Sequence, residues 1–204
     1  RVETPGATWW FDRAGGGFSS LIDPAGRDWI GFKMEPWDQF PASAASAFRG
    51  IPNAVFRSDD SGAGHPGHDK CESMQQGENQ IVTRSLSGRW AWHWTFHDSY
   101  AEWSVDQVDT SHAYWLLYEG MPGGRFVPPA QYFGTDQGGP RYDQLDYYVD
   151  DKEFARYRWA YFGDTTVEQV LFIGQVEPDT LLDTFAYLGN TEAGIDAPDG
   201  MVVF

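Results

Sequence analysis

The sequence has little cysteine, few basic residues and no long apolar run. Its only cysteine is Cys71, which excludes an intrachain disulfide and a cysteine-based zinc cluster. The 14 Lys and Arg residues stand against 30 Asp and Glu residues, a formal charge of −16, and such a charge repels phosphate backbones and anionic membrane surfaces. No segment approaches the roughly 20 consecutive apolar residues of a transmembrane helix. We therefore expect neither nucleic acid nor a membrane as a partner.

Aromatic residues, in contrast, are abundant. The 204 residues include 10 Trp, 10 Tyr and 14 Phe, together 17% of the chain, which is more than one core of this size has to contain. Any single Trp is more often a core residue than a ligand contact. Aromatic faces can nevertheless stack on the C–H surface of a sugar while polar ring edges bond its hydroxyls. We expect a few of these rings to line a groove.

Short strand-like runs bounded by turn residues recur along the chain, and apolar repeats of helical period are nearly absent. The clearest run is Arg89–His97, where large aromatic side chains alternate with smaller or polar ones and predict one buried face. A hydrophobic content of 41% suffices for one core. We predict an all-β fold, an antiparallel β-sandwich or jelly roll with long polar loops, forming a single domain over residues 1–204.

The individual runs place the predicted strands. They are Thr8–Asp12, Phe18–Asp23, Asp28–Phe32, Gln80–Leu86, Gly88–His97, Tyr100–Val108, Ala113–Tyr118, Arg156–Phe162, Val167–Val176 and Met201–Phe204. The first three are expected to form a meander that the last strand joins. Segments 58–77 and 120–144, rich in Gly and in polar or Pro residues, predict two long irregular loops of the kind that often carry function.

The richest polar cluster lies within residues 49–70. Arg49 and Asn53 are suited to neutralise a sugar carboxylate, while His65 or a groove tyrosine removes the adjacent proton and Lys70 adds an ammonium group. This is the set of groups that a polysaccharide lyase needs. The alternative is a loop whose His and Asp side chains hydrogen-bond their own backbone.

Two kinds of metal site are conceivable, although the predicted chemistry requires no cofactor. His65 and His68 are spaced H-x-x-H and could bind a transition metal with a third ligand, but a proline and a glycine between them make the signal weak. The third ligand would come from Asp69, His93 or His97. A structural calcium ion would use oxygen ligands on turns, with ordinary Asp-containing β-turns as the alternative. Its candidate ligands are Asp12, Asp23, Asp28, Asp196 and Asp199.

A different set of groups would support hydrolysis. Glu119 lies where a predicted strand enters the second long loop, and Glu102 lies on a strand predicted to neighbour it. Retaining glycosidases place two carboxylates about 5 Å apart and inverting ones about 6.5–9.5 Å apart. No E-x-D-x-E-type strand motif is present, which argues against laminarinase-like hydrolases. The candidate substrate-binding residues are Arg125, Tyr132, His93, Trp115 and Tyr161.

Several strings spread along the chain carry a resemblance. They are Gly16-Gly17-Phe18, Leu21-Ile22-Asp23, Gly26-Arg27-Asp28-Trp29-Ile30, Arg49-Gly50-Ile51-Pro52-Asn53, His65-Pro66-Gly67, Tyr114-Trp115-Leu116-Leu117-Tyr118-Glu119-Gly120, Tyr161-Phe162-Gly163-Asp164 and Met201-Val202-Val203-Phe204. Together they resemble a family of uncharacterised secreted β-sandwich proteins, concanavalin-like or jelly-roll, from polysaccharide-degrading environmental bacteria. The resemblance implies a secreted or periplasmic location and a carbohydrate-rich habitat, and it supplies no mechanism.

Taken together, these features favour a secreted protein that acts on a polysaccharide or oligosaccharide. The preferred function is cleavage by β-elimination of a uronic-acid-containing glycan, which requires a basic groove because an acidic protein repels an acidic polymer. Such a groove would draw on Arg49, Arg57, Lys70, Arg89 and Arg125. The alternatives are a glycoside hydrolase that uses Glu119 and Glu102 on a neutral glycan, and a non-catalytic carbohydrate-binding module.

Overall fold

The computed structural model describes residues 1–32, 50–55, 58–119, 129–142, 157–177, 184–187 and 200–203, with backbone only for Glu119 and the last two ranges. These residues form strands and turns without a helix, which confirms the predicted all-β class. The strands are β1 Val2–Glu3, β2 Thr8–Asp12, β3 Gly17–Ile22, β4 Cys71–Gln76, β5 Gln80–Ser85, β6 Ala91–Phe96, β7 Ala101–Gln107, β8 Leu117–Glu119, β9 Gln131–Thr135, β10 Gly138–Arg141, β11 Trp159–Asp164, β12 Val170–Gly174, β13 Thr184–Tyr187 and β14 Gly200–Val203. Within these ranges, no helix is long and apolar enough to cross a membrane.

The strands pair into four antiparallel sheets. The first sheet has the order β1-β2-β3, the second β4-β5-β6-β7, the third β10-β9-β11-β12 and the fourth β13-β14-β8. Sequential hairpins account for the first two sheets, whereas β9 and β11 of the third sheet pair across a long connection. The arrangement is consistent with a β-sandwich.

One apolar core joins side chains from all four sheets. In β6 the alternation predicted from the sequence is confirmed, because Trp92 and Trp94 are buried and Trp92 is only 1% exposed. Phe18 of β3 packs edge-on against Trp94, with ring centroids 4.9 Å apart, and so ties the first sheet to the second. Tyr118 of β8 meets Phe162 of β11 at 4.9 Å in the same way. Burial of each such side chain contributes about 1.5–3 kcal/mol.

The predicted N-terminal meander has a different third strand. Asp28–Phe32 is not a strand, because one isolated bridge from Asp28 to Ile22 is all that it forms. The Asp28 carboxylate instead accepts hydrogen bonds from the backbone N–H groups of Leu21 and Ile30, which curls the segment. The third strand is β1, paired with β2.

Other boundaries also differ from the prediction. Segment 58–77 is not irregular throughout, because its end forms β4, and segment 120–144 contains β9 and β10. Composition did not predict β4 or β10. Strand β4 is an edge strand with mostly polar side chains, and β10 consists mostly of Gly and Pro. Of the predicted strand Ala113–Tyr118, only the last two residues belong to β8. Before them, Tyr114 forms one isolated bridge to Val55. The C-terminal strand β14 pairs with β8 and β13 rather than with the meander.

Candidate functional site

The third sheet has one apolar face toward the core and one aromatic face toward solvent. In β9 and β11, Phe133, Ala160 and Phe162 point inward and are buried. Because successive strand residues point to opposite faces, the residues between them point outward. These outward residues of β9, β11 and β12 are Tyr132, Gly134, Trp159, Tyr161, Gly163, Val170, Phe172 and Gly174.

Glycine and aromatic residues alternate across the strands as well as along them. Tyr161 lies opposite Gly134, and Tyr132 lies opposite Gly163. A Cβ atom added at Gly134 would lie 2.4 Å from the Tyr161 ring, and one added at Gly163 would lie 2.2 Å from the Tyr132 ring. Each ring therefore lies directly on the backbone of its neighbouring strand, a close approach that a side chain at the glycine would prevent.

Five rings form one continuous row, which we call the aromatic face: Phe172, Trp159, Tyr161, Tyr132 and Tyr142. In that order, successive ring centroids are 5.7, 6.2, 6.4 and 5.5 Å apart. The row begins on edge strand β12, crosses β11 and β9, and ends at the residue that follows edge strand β10.

The aromatic face is accessible and carries no formally charged side chain. Phe172 is 59% exposed and Tyr142 is 42% exposed, while the three rings between them are half-buried. Burial raises the pKa of the Tyr161 hydroxyl, and Tyr132 and Tyr142 add to the shift. The phenol therefore stays protonated at neutral pH and can donate a hydrogen bond. Ligand-binding grooves and interaction surfaces share this kind of contiguous exposed apolar patch.

The structure brings together two of the predicted substrate-binding residues, Tyr132 and Tyr161. His93 lies elsewhere, on β6 of the second sheet, with its Nδ1 atom 2.9 and 3.0 Å from the two carboxylate oxygens of Asp106. Trp115 precedes β8, and its indole N–H donates to the backbone carbonyl of Asn53. Arg125 lies outside the described residues.

The predicted lyase cluster is folded into its own loop. His65 is 3% exposed, and its Nδ1 atom lies 2.7 Å from the carbonyl oxygen of Pro66. Asn53 is 9% exposed, and the Lys70 ammonium group donates to the carbonyl of Asp59 at 3.3 Å. Arg49 lies outside the described residues. The described members therefore match the alternative of a self-bonded loop, since His65 does not reach a surface that a polymer could approach.

Among the described residues, the charges around this loop pair with one another. Arg89 lies 2.8 Å from the Asp60 carboxylate and 3.4 Å from that of Asp109. Asp60 also accepts a hydrogen bond from the indole N–H of Trp90 at 3.0 Å. Burial lowers the pKa of His68, and His65 and Lys70 lower it further. Arg57 lies outside the described residues.

Within the described ranges, no group of three or more His, Cys, Asp or Glu side chains is arranged to hold a metal ion. The His65 and His68 rings meet edge to face, with centroids 5.1 Å apart. Asp12 accepts hydrogen bonds from the backbone N–H groups of Ala14 and Gly67. Asp23 accepts one from the backbone N–H of Arg27 and one from the indole N–H of Trp29. Their oxygens thus bond nearby turns and one distant loop. Asp196 and Asp199 lie outside the described part of the chain.

The two predicted hydrolase carboxylates lie on strands that are not neighbours. Glu102 is on β7, the edge strand of the second sheet, and its carboxylate lies 3.8 Å from the His97 Nε2 atom. Glu119 ends β8, which pairs with β14 in the fourth sheet. The expectation of adjacent strands is therefore wrong: β7 is separated from β8 by the turn at 109–112 and the change of sheet.

A cavity of about 510 Å³ opens between the first and second sheets. Its lining includes the apolar rings of Phe11 and Phe96 and the polar side chains of Arg13 and Glu78. The Arg13 Nε–H is already bonded to the carbonyl of Ser73 at 2.9 Å. None of the predicted site residues lies there.

Comparison of the chain with protein-family models, curated proteins and solved structures found no match. The site therefore has to be understood from its own geometry. Sequence reasoning missed Phe172 and Tyr142, and it counted Trp159 only among the surplus aromatics. The sequence pattern that indicates this face is a glycine two residues after an aromatic residue, as in β9, β11 and β12.

Proposed function

We propose that this protein binds carbohydrate and that the aromatic face is the binding surface. The observation that carries the proposal is the row of five rings on an accessible sheet face, with Tyr161 and Tyr132 lying directly over glycines. Each ring offers an apolar surface to the C–H groups of a sugar, and the Tyr hydroxyls and the Trp159 indole N–H offer hydrogen bonds to sugar hydroxyls. Mixed apolar and polar contact of this kind suits a sugar better than a purely apolar ligand.

The proposal is for binding rather than cleavage. The described members of the lyase set are buried or bonded within their loop, as His65 and Lys70 illustrate. The carboxylates of the hydrolase set belong to strands of different sheets. Of the functions that the sequence suggests, a carbohydrate-binding module is the one that the aromatic face supports.

Removal of one central ring tests the proposal. The substitution Trp159→Ala deletes the ring that contacts two others in the row. Loss of a central aromatic anchor weakens binding by about tenfold or more, which corresponds to about 1.4 kcal/mol. The measurement is affinity electrophoresis, followed by isothermal titration calorimetry, against a panel of soluble neutral and acidic polysaccharides.

The matched control is Trp10→Ala, because Trp10 is 45% exposed but lies on β2 of the first sheet. It should bind like the unaltered protein. Near-ultraviolet circular dichroism and thermal melting establish that both variants fold. The proposal fails if the unaltered protein is retained by no glycan of the panel, or if both variants lose binding equally.

A further inference from the structure

The ring planes of the aromatic face turn along the row. Phe172 and Trp159 are inclined at 34°, as are Trp159 and Tyr161. Tyr161 and Tyr132 are inclined at 67°, and Tyr132 and Tyr142 at 52°. No two successive rings are parallel. Sheet twist contributes where the row passes from one strand to the next, because adjacent strands are rotated by roughly 20–25°; Trp159 and Tyr161, both on β11, differ through their own side-chain orientations.

The turning planes distinguish two physical forms of polysaccharide. In a crystalline polysaccharide the sugar rings of one face share a single orientation, so a flat face could lie flush on one ring of the row and would meet the next at 34°. A separate chain has rotatable glycosidic bonds, so each sugar can turn to stack on its own aromatic ring. A separate chain can therefore stack on two neighbouring rings that a flat face cannot meet together.

Glycine prevents the rings from flattening onto a common plane. Tyr161 and Tyr132 already touch the backbone at Gly134 and Gly163, where even a Cβ atom would lie within 2.4 Å of the ring above it. The rings cannot move further toward the sheet. The backbone beneath Tyr161 and Tyr132 therefore limits how far these two rings can tilt toward a ligand plane.

The charge of the site distinguishes neutral polysaccharide chains from charged ones. The five residues of the aromatic face include no Asp, Glu, Lys or Arg, whereas the whole chain has a formal charge of −16. An anionic chain would meet the long-range repulsion of the whole protein, and none of the five residues of the aromatic face supplies a cation to pair with it. A cationic chain would find no carboxylate among the same five residues. A neutral chain avoids both costs.

We infer that the aromatic face takes separate, neutral polysaccharide chains and not the flat surface of a crystalline polysaccharide. This inference rests on the proposed function. The row crosses four strands spaced about 4.8 Å apart, a width of about 15 Å, which is several sugar rings long. Affinity should therefore rise with the number of sugars until the row is covered.

The experiment compares two forms of one glycan. Unaltered protein is incubated with microcrystalline cellulose and with acid-swollen, amorphous cellulose, and in parallel with granular starch and soluble amylose. Oligosaccharides of increasing length from the retained glycan follow by calorimetry. Binding to the amorphous or soluble form should be at least about tenfold tighter per accessible sugar, with affinity rising over the first several sugars.

End-of-row variants check that several rings act together. Phe172→Ala and Tyr142→Ala each shorten the row from one end, so each should weaken binding of a long oligosaccharide by several-fold while thermal melting shows a folded protein. Trp10→Ala again serves as the control. Equal affinity of all three variants for a long oligosaccharide would contradict a multi-ring contact.

The remaining outcomes separate the two proposals. Preference for the crystalline form, or preference for an acidic polymer, overturns this inference and leaves carbohydrate binding intact. Failure to bind any glycan removes the proposed function itself. If sedimentation velocity shows a dimer that Trp159→Ala converts to a monomer, the aromatic face is covered by a second copy of the chain and both proposals fall.

Discussion

His68 shows how a single buried ring makes stability depend on pH. Its pKa lies below the ordinary value of 6.5 because of burial, then His65, then Lys70, and the opposing effect of Asp69 is smaller. The unfolded chain therefore takes up a proton at His68 near pH 6.5, and the folded chain does so only at lower pH. Because the unfolded state binds more protons there, stability falls as the pH drops through 6.5 and levels off below the folded-state pKa.

The free energy of unfolding should decrease when the pH is lowered from about 7.5 to about 5.5. This decrease should be smaller in His68→Gln than in the unaltered protein. Urea titrations followed by Trp fluorescence measure it. His112→Gln is the control, because His112 is exposed. Identical pH dependence in His68→Gln and the unaltered protein would contradict the assignment.

At the residue scale, the sequence points to some members of the aromatic face but not to the set that the fold brings together. It placed Tyr132 and Tyr161 among the candidate sugar-binding residues, but not Phe172 beside them. Which rings share a face depends on the register of β9, β11 and β12, and that register is set by pairing between distant segments. It grouped His65 with Lys70 because they are close in sequence, whereas the loop turns the His65 ring into the interior.

At the scale of elements, Asp164 fastens the third sheet to the first. It ends β11 and accepts a hydrogen bond from Arg27, which lies in the turn after β3, at 3.1 Å, and others from Gln131 and Thr166. Burial alone would raise the pKa of Asp164, but these hydrogen bonds and the Arg27 guanidinium outweigh it and lower the pKa. The carboxylate is therefore charged at neutral pH.

The substitution Asp164→Ala should reduce the unfolding free energy by about 1–3 kcal/mol, because it leaves several donors without their acceptor. Glu168→Ala, in the exposed connection between β11 and β12, should change it by less than about 0.5 kcal/mol. Chemical denaturation measures both. The glycan affinity of folded Asp164→Ala should be unchanged, since Asp164 points away from the aromatic face. Equal stability of Asp164→Ala and Glu168→Ala would contradict the role of Asp164.

Elements were predictable where composition and burial agreed. The strand β2 has the bounds that the sequence predicts, because it is a short aromatic run. Strand β6 falls within its predicted run, because its apolar residues alternate strongly. Strand β10 was missed because glycine and proline carry no strand signal, yet pairing with β9 imposes the extended conformation. Strand β14 was recognised as a strand, but its partner was not, because partner choice is a property of the whole fold.

At the scale of the whole molecule, the net charge of −16 predicts how binding responds to salt. A neutral chain exchanges no counterions on binding, so its affinity should change by less than about twofold between about 0.05 and 0.5 M NaCl, where the Debye length shortens from about 14 to about 4 Å. An acidic polymer such as polygalacturonate should bind weakly at low salt because it is repelled. Calorimetry at both concentrations measures this; affinity for the neutral glycan that falls steeply with salt would contradict the uncharged site.

The fold class was predictable at this scale because it depends on patterns that many residues share. The location of the site could not be predicted, because it depends on the register between β9 and β11. That register places Gly134 opposite Tyr161 and Gly163 opposite Tyr132. Composition indicated surplus aromatic residues. Only the assembled sheet shows where they gather.

The glycines beneath the aromatic face also affect the thermodynamics of recognition. A ring that already rests on the backbone has few rotamers left, so Tyr132 and Tyr161 are ordered before a ligand arrives. Immobilising a mobile side chain costs about 0.5–1.5 kcal/mol on binding, and in this sheet much of that entropy is lost during folding instead. The surface is thus preorganised at these two rings, and the glycan affinity proposed for it would depend on contact with the ligand rather than on ordering of these side chains.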